Sequence, residues 1–243
     1  MERFETFCGR IQKLLADEKG VLRQIDRARE LVSDLAVKPQ WFEEFMSRMI
    51  FDRAFMESQK PSIWPNEITL YRSPDRSFVV LAYIWDAKLA DTVHDHGSWG
   101  IIGTLCEKLG EKKYERLDDG KRQGYADLRE TQSKVFGPGE TTFVLPLKNG
   151  IHSMENPTDG IAVSVNLYGK SIGRGYVQFF DPARKTVTRV YPPRTFKEVL
   201  AVKTLAAFGT GRAEAILQEA LRQPQPPHLR DEIEQALARI KGK

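Results

Sequence analysis

The chain has 243 residues, 41% hydrophobic and 29% charged, and its 37 lysines and arginines against 33 acidic residues give a net charge of +4. A charge this small, without basic runs interrupted by aromatic residues, argues against nucleic acid as a partner. No apolar run approaches the roughly 18 to 20 residues that span a bilayer, and the N-terminus lacks a signal-like apolar core. We therefore expect a cytoplasmic protein without a membrane partner, and the widely separated Cys8 and Cys106 agree with reduced thiols in that compartment.

The first part of the chain has the period of helices. Apolar residues recur at the spacing of one helical face from Phe4 to Leu15, and again from Trp41 to Met49 after Pro39. Pro61 and Pro65 then interrupt the chain. We predict that residues 1–60 form helices that pack on the domain that follows.

The middle of the chain has the pattern of a β domain. From Glu67 onward, short runs rich in Val, Ile, Tyr, Phe and Thr alternate with turn sequences such as Asp118-Asp119-Gly120 and Gly137-Pro138-Gly139. Many short strands without helices between them indicate a sandwich or a barrel. We predict that residues 61–194 form this barrel.

Helical periodicity returns in the last part of the chain, residues 195–243. Apolar faces recur in 213–221 and 233–240, and Pro224, Pro226 and Pro227 separate them. Apolar helical faces outside a closed barrel need a cover. We expect this extension to pack on the barrel or, as the alternative, to form a homo-oligomer contact.

Three of the four histidines form a candidate metal site. His94 and His96 are two positions apart, so on a strand both side chains project to one face. His152 follows in a turn-to-strand segment, at a separation that suits an adjacent strand of a small barrel. Imidazole is a ligand for Fe, Ni, Cu and Zn. The spacing predicts a site built from these three residues, whereas His228, flanked by Pro227 and Leu229, is expected to be structural.

The segment after the histidine pair supplies no carboxylate ligand. The nearest downstream acid, Glu107, is too far along the chain to complete the pair. Three neutral histidines leave the charge of a divalent ion uncompensated and coordination positions open. That arrangement favours an anionic, chelating substrate.

A second group of polar residues lies on one strand. Ser164, Asn166 and Tyr168 alternate with Val165 and Leu167, so the three polar side chains share a face. Such a row costs stability unless its members bond one another or a ligand. It is either a satisfied polar ladder at a barrel end or an active-site network beside the metal.

These motifs resemble a known family. The run His94-Asp95-His96-Gly97-Ser98-Trp99, then His152, then Ser164-Val165-Asn166-Leu167-Tyr168, is similar to the bacterial thiol dioxygenases of the cupin superfamily, the cysteine dioxygenase and 3-mercaptopropionate dioxygenase group. The resemblance extends over about residues 1–190. It implies a mainly β fold, the double-stranded β-helix of cupins, with N-terminal helices and a C-terminal helical extension outside the resemblance.

The resemblance also implies an activity. A mononuclear non-haem Fe(II) would be held by His94, His96 and His152, and the enzyme would be an oxidoreductase that converts a small thiol to its sulfinate with O₂. Tyr168, Ser164 and Asn166 would orient the reacting groups through hydrogen bonds. The family motif is Ser-x-His-x-Tyr, so Asn166 replaces a histidine here. Gly100 stands where some members have a cysteine that crosslinks to the tyrosine.

Two arginines are candidates for holding a substrate carboxylate. In cysteine dioxygenases this arginine precedes the histidine pair, where Arg72 lies, and in mercaptopropionate-type enzymes it follows the tyrosine motif, where Arg174 lies. We favour Arg174, because it sits in a glycine-flanked turn close to Tyr168 and guanidinium can bind a carboxylate through two hydrogen bonds.

Two other functions stay open on the sequence. The chain could be a non-redox cupin metalloenzyme, an isomerase or hydrolase that uses Zn, Mn or Ni. It could also be a module that binds a metal or ligand without turnover.

Overall fold

The computed structural model describes residues 2–242, of which helices contain about 40% and strands about 28%. Helices therefore take a larger share than the sequence indicated, because the additions at both ends are long. Within these residues, none of the helices has the length and hydropathy needed to cross a bilayer.

The N-terminal prediction of helices is confirmed. The four helices are α1 (Glu2–Asp17), α2 (Val21–Ala36), α3 (Gln40–Phe51) and α4 (Arg53–Ser58). Aromatic rings hold them together: the ring of Phe4 lies 5.0 Å from those of both Trp41 and Phe45, measured between centroids. A carboxylate caps α4, since the Asp52 side chain accepts a hydrogen bond from the backbone N–H of Phe55.

Ten strands and one short 3₁₀ helix (Leu147–Gly150) follow. The strands are β1 (Glu67–Arg72), β2 (Phe78–Trp85), β3 (Gly100–Cys106), β4 (Leu109–Arg116), β5 (Leu128–Phe136), β6 (Thr141–Val144), β7 (Ile151–Glu155), β8 (Ala162–Gly169), β9 (Val177–Asp181) and β10 (Thr186–Val190).

The strands pair in a nested order. One antiparallel sheet runs β1-β2-β8-β3-β6, a second runs β5-β4-β7, and β9 pairs with β10. β2 thus pairs with β8, and β3 and β6, which lie between those two strands in the sequence, pair with each other. His94 extends the second sheet through a bridge to His152 on β7. This nesting is the jelly-roll arrangement of cupin barrels, which confirms the predicted fold class.

The two faces of β2 show how the core is divided. Leu81 and Tyr83 point to one face and pack with Ile102 of the same sheet and Leu109 and Met154 of the other. The alternate residues of β2, Val80 and Ala82, join the apolar cluster formed with α1, α2 and α3. Because successive side chains of a strand point to opposite faces and β2 is buried on both faces, its residues contribute to both apolar clusters.

The chain forms two compact units. One contains the residues up to Lys60 together with 64–172 and 178–188, and therefore includes the N-terminal helices and most of the barrel. The second contains 61–63, 173–177 and the residues from Arg189 onward. The predicted boundaries at 60 and 194 stay a prediction.

The second unit contains three C-terminal helices, α5 (Pro193–Phe208), α6 (Gly211–Arg222) and α7 (Pro227–Lys241). They enclose an apolar cluster that includes Val202, Leu217 and Ile233. Phe196 and Phe208 of α5 remain exposed. The homo-oligomer contact through these helices stays a prediction.

Asn156 ties the end of β2 to the turn before β8. Its amide nitrogen lies 3.1 Å from the Trp85 carbonyl oxygen and 2.7 Å from that of Gly160, and its oxygen accepts from the backbone N–H of Thr158 at 2.9 Å. The side chain is buried, so its loss leaves these backbone groups unpaired.

We expect Asn156→Ala to lower the free energy of unfolding by about 2 kcal/mol or more, because buried polar groups lose their partners. Urea unfolding followed by tryptophan fluorescence measures this change. Asn149→Ala is the control, since Asn149 is exposed. Equal losses in the two variants would contradict the assigned role.

Candidate metal centre

The three predicted histidines come together. The rings of His94, His96 and His152 lie 4.8 Å apart in every pair, and their planes are inclined at 62°, 63° and 62°. The group is therefore a propeller with threefold symmetry. Its ligating atoms all lie within 4.8 Å of one another, and the Nε2 atoms of His96 and His152 are 2.8 Å apart.

This spacing fits a divalent metal. Two imidazole nitrogens at right angles, each about 2.0–2.1 Å from one ion, are about 2.8–3.0 Å apart. Three rings in a propeller occupy one face of an octahedron and leave the opposite face for other ligands. Among the described residues, the group contains three histidines and no carboxylate.

The backbone that carries His94 and His96 differs from the prediction in one respect. Residues 92–96 do not form a regular strand; isolated bridges join His94 to His152 and to Phe179. The His94 N–H donates to the His152 carbonyl at 2.8 Å, and the His152 N–H donates back at 2.9 Å. The expected alternation still holds, because the buried Asp95 carboxylate turns away and accepts from the Gln178 N–H.

The protonation of His94 is set by its neighbour. Its Nδ1 lies 2.8 Å from the Thr92 carbonyl oxygen, which can only accept, so Nδ1 carries the hydrogen and the Nε2 lone pair is left for a metal. Burial lowers the pKa of His94 to about 4. The imidazole is therefore neutral at pH 7.

A buried acid orients His152. Glu111, which is 2% exposed, accepts from Nδ1 of His152 at 2.8 Å through one carboxylate oxygen. Its other oxygen accepts from the Thr142 hydroxyl at 2.6 Å and lies 3.7 Å from the Lys113 ammonium nitrogen. Burial raises the pKa of Glu111, and burial lowers that of His152. The site thus holds a carboxylate behind a ligand and not among the ligands.

A second acid lies behind His94. Asp91 accepts from the Met154 N–H at 2.7 Å, and its other oxygen is 3.6 Å from His94 Nδ1. Burial raises the pKa of Asp91 to about 8. Sequence reasoning missed both acids: Glu107 was considered, but Glu111 was not. The available signal was a charged residue at the apolar start of a strand, Leu109-Gly110-Glu111.

Aromatic side chains line the site. The Tyr168 ring lies 5.7 Å from that of His96, nearly parallel to it, and the Trp64 ring lies 4.7 Å from that of His94. Gly100 pairs with Tyr168 across β3 and β8, and a Cβ at this position would overlap the tyrosine ring. Glycine at position 100 therefore leaves the space that the Tyr168 ring occupies.

The predicted polar row divides into two parts. Asn166 donates from its amide nitrogen to the Tyr168 hydroxyl at 3.1 Å, beside the histidines. Ser164, farther along β8, accepts from the Trp85 indole nitrogen at 3.3 Å. Ser164 therefore bonds to a neighbouring strand, whereas the Tyr168 ring lies against His96, a candidate metal ligand.

The two candidate arginines lie in different units. Arg72 ends β1, is exposed, and pairs in register with Val79, which pairs with Tyr168. Paired residues share a sheet face, so Arg72 is on the face that carries Tyr168. Arg174 belongs to the second unit, where its Nε donates to the Tyr176 carbonyl at 2.9 Å and its guanidinium lies 4.5 Å from the Tyr176 ring centroid.

No family model matches the chain. Among solved structures, the Cupin_2 domain of an XRE family transcriptional regulator from Enterobacter cloacae is similar, with 11% identity, a TM-score of 0.32, and coverage of 42% of this chain and 93% of that one. A Cupin 2 conserved barrel domain protein from Salinispora arenicola has 16% identity, a TM-score of 0.33, and coverage of 45% and 81%. The DMSP lyase DddQ from Ruegeria pomeroyi has 17% identity, a TM-score of 0.28, and coverage of 40% of each chain.

We expect the protein to bind about one divalent metal ion per chain through the three histidines. His94→Ala, His96→Ala and His152→Ala should each lose the ion on dialysis, as measured by elemental analysis. His228→Ala should keep it, since His228 is not among the three clustered histidines. Full metal occupancy in the His152→Ala protein would contradict the site.

The second prediction concerns Glu111. Glu111→Gln removes the charge that accepts from His152, so we expect metal affinity to fall about 10- to 100-fold, the usual effect of changing such a partner. Competition with a chromophoric chelator measures the affinity. Glu130→Gln, at an exposed position of β5, is the control and should bind as the unmodified protein does.

Proposed function

We propose that the protein is an Fe(II)-dependent thiol dioxygenase, which adds both atoms of O₂ to a small thiol and so forms the sulfinic acid. The observation that carries the proposal is the cluster of three histidines without a carboxylate among the candidate ligands, in which burial lowers the pKa of both His94 and His152. A divalent ion held in this way keeps its charge for anionic ligands such as a thiolate. The motifs that resemble thiol dioxygenases lie at this same site.

Bound Fe(II) would supply activation of the thiolate and of O₂, and the electrons that reduce O₂ would come from the thiol sulfur, which is oxidised to the sulfinate. The residues of the chain supply position and polarity. Glu111 and the Thr92 carbonyl hold the rings of His152 and His94 in the tautomer that exposes Nε2. Trp64 and Tyr168 enclose the ligands with aromatic surface, which excludes water from the reacting sulfur.

Tyr168 is the residue that we assign to orientation of the substrate. Burial raises the pKa of its hydroxyl above the ordinary value, so the group stays protonated and neutral at pH 7. Its ring is fixed against His96, and its hydroxyl is fixed by Asn166. The hydroxyl is therefore held in position before substrate binds.

The strand register supports Arg72 as the residue that binds a substrate carboxylate. It shares the face of Tyr168 at the end of β1, whereas Arg174 already bonds the backbone and ring of Tyr176. This ranking reverses the one that the sequence favoured.

Anaerobic loading with Fe(II), followed by oxygen uptake with a panel of thiols, tests the proposed function. We expect thiol-dependent uptake in which O₂ and thiol disappear in equal amounts and the sulfinate accumulates. Turnover without O₂ on a protein loaded with Zn, Mn or Ni would instead support a non-redox metalloenzyme. Binding without product would identify a binding module.

The arginine assignment has its own test. A lysine keeps the charge but not the two parallel hydrogen bonds of a guanidinium. Arg72→Lys should lower kcat/KM for carboxylate-bearing thiols by about 1.5–3 kcal/mol of transition-state free energy. Arg174→Lys is the matched variant and should leave kcat/KM unchanged. A loss of kcat/KM in Arg174→Lys but not in Arg72→Lys would instead show that Arg174 binds the substrate carboxylate.

A further inference from the structure

A cluster of polar and aromatic side chains in the second unit takes no part in the metal centre. It is formed by the loop before β9, the end of β10 and the start of α7. The rings of Tyr176 and Tyr191 lie 5.6 Å apart, measured between centroids. The Arg189 guanidinium lies 4.7 Å from the Tyr176 ring centroid, and the His228 ring lies 6.2 Å from that of Tyr191. Arg189 and His228 therefore both border the same pair of tyrosines.

His228 is buried, yet its ring has no hydrogen-bond partner among the described residues. The residue is only 9% exposed, and both Nδ1 and Nε2 lack a partner. The Gly175 backbone packs on this ring, since a Cβ at position 175 would lie 2.3 Å from Nδ1. In neutral imidazole one ring nitrogen is a donor, and in imidazolium both are. The His228 ring therefore contains at least one buried N–H group without an acceptor, which costs free energy.

Arg189 contains a second donor without an acceptor. Its Nη1 atom is buried and has no hydrogen-bond partner in the part of the chain that the structure describes. The carboxylates of Asp231 and Glu232 each lie 3.8 Å from Nη1, which is beyond hydrogen-bond distance. Glu232 instead accepts from the Tyr191 hydroxyl at 2.8 Å and lies 3.9 Å from the Lys203 ammonium nitrogen. These contacts leave the N–H groups of Nη1 unsatisfied.

Both unsatisfied donors lie near one end of α7. His228 is the second residue of this helix, and Glu232, which lies beside Arg189, follows one turn later on the same face. Helical side chains are tilted toward the N-terminus of their helix, so the His228 ring lies at the end where the helix dipole is positive. The cluster thus combines two unused donors with a positive potential.

We propose that this cluster is a second binding site, which takes a small oxyanion, a carboxylate or a phosphate group, through His228 and Arg189. An ionised oxyanion presents two or more acceptor oxygens, and these match the two donors that have no acceptor among the described residues. The site is separate from the metal centre, because neither residue is among the clustered histidines. It therefore does not depend on the proposed function.

The charges of the cluster and its access to solvent support an anion. Three basic side chains and two acidic ones belong to it: Arg174, Arg189, Lys203, Asp231 and Glu232. The excess of positive charge adds to the helix dipole and favours a negatively charged ligand. Arg174, Tyr176 and Arg189 are half-buried, so solvent reaches the cluster on their side.

Titration of the full-length protein with inorganic phosphate and, separately, with acetate tests the site, at an ionic strength held constant with NaCl. The ring signals of His228 in a carbon–proton NMR correlation spectrum report on binding, and their absence from the spectrum of His228→Gln identifies them. We expect a saturable shift of these signals with at least one of the two anions. The anion that binds more tightly shows whether the ligand group is a phosphate or a carboxylate.

Variants of two arginines test the cause of the shift. Arg189→Leu removes the second donor, so we expect the Kd measured at His228 to rise about tenfold or more, the effect of losing a hydrogen bond between charged groups. Arg184→Leu is the matched control, since Arg184 is exposed between β9 and β10, and its Kd should be unchanged. If the leucine variant does not fold, Arg189→Lys takes its place and should also bind more weakly, because an ammonium lacks the planar fork of a guanidinium.

Three results would overturn the proposal. The first is a change in the His228 signals that does not saturate and that NaCl alone reproduces. The second is an unchanged Kd in the folded Arg189 variant. The third is a shift confined to the ring signals of His94, His96 and His152, which would place the anion at the metal centre.

Discussion

The reciprocal pair of backbone hydrogen bonds between His94 and His152 is the constraint on which the site depends. These bonds, 2.8 and 2.9 Å long, join an otherwise irregular segment to β7 and so bring ligands that are distant in sequence onto one centre. His96, two residues further on, shares the face of His94. The pairing thus fixes the backbone of His94 beside that of His152, and the Leu147 N–H, which donates to the His96 carbonyl at 2.9 Å, holds the backbone of the third histidine.

Charge is arranged around this centre in layers. His94 and His152 are buried and neutral, and Asp91 and Glu111 stand behind them, each near an Nδ1 atom. Glu111, which accepts from Nδ1 of His152, orients that imidazole and increases its basicity without occupying a coordination position. The positive charge of a bound ion would therefore be available to whatever occupies the open face.

Much of this could be predicted from local sequence patterns. The helix and strand periods located the N-terminal helices and the β region, and the two-residue spacing of His94 and His96 predicted their shared face. The contribution of Glu111 could not be predicted in this way, because it depends on the antiparallel register that places Lys113 opposite His152 and Glu111 opposite Met154. Such pairings are set by the whole barrel, not by neighbouring residues.

Gly100 ties two positions of the chain to each other. A Cβ at position 100 would overlap the Tyr168 ring. The side chains at positions 100 and 168, which pair across β3 and β8, therefore compete for the same space. Any larger residue at position 100 needs a smaller or displaced one at 168, and displacement would take the ring off His96. Across related sequences, we expect these two positions to change together, and a protein with a bulkier residue at position 100 to have rebuilt the wall of the site on that side.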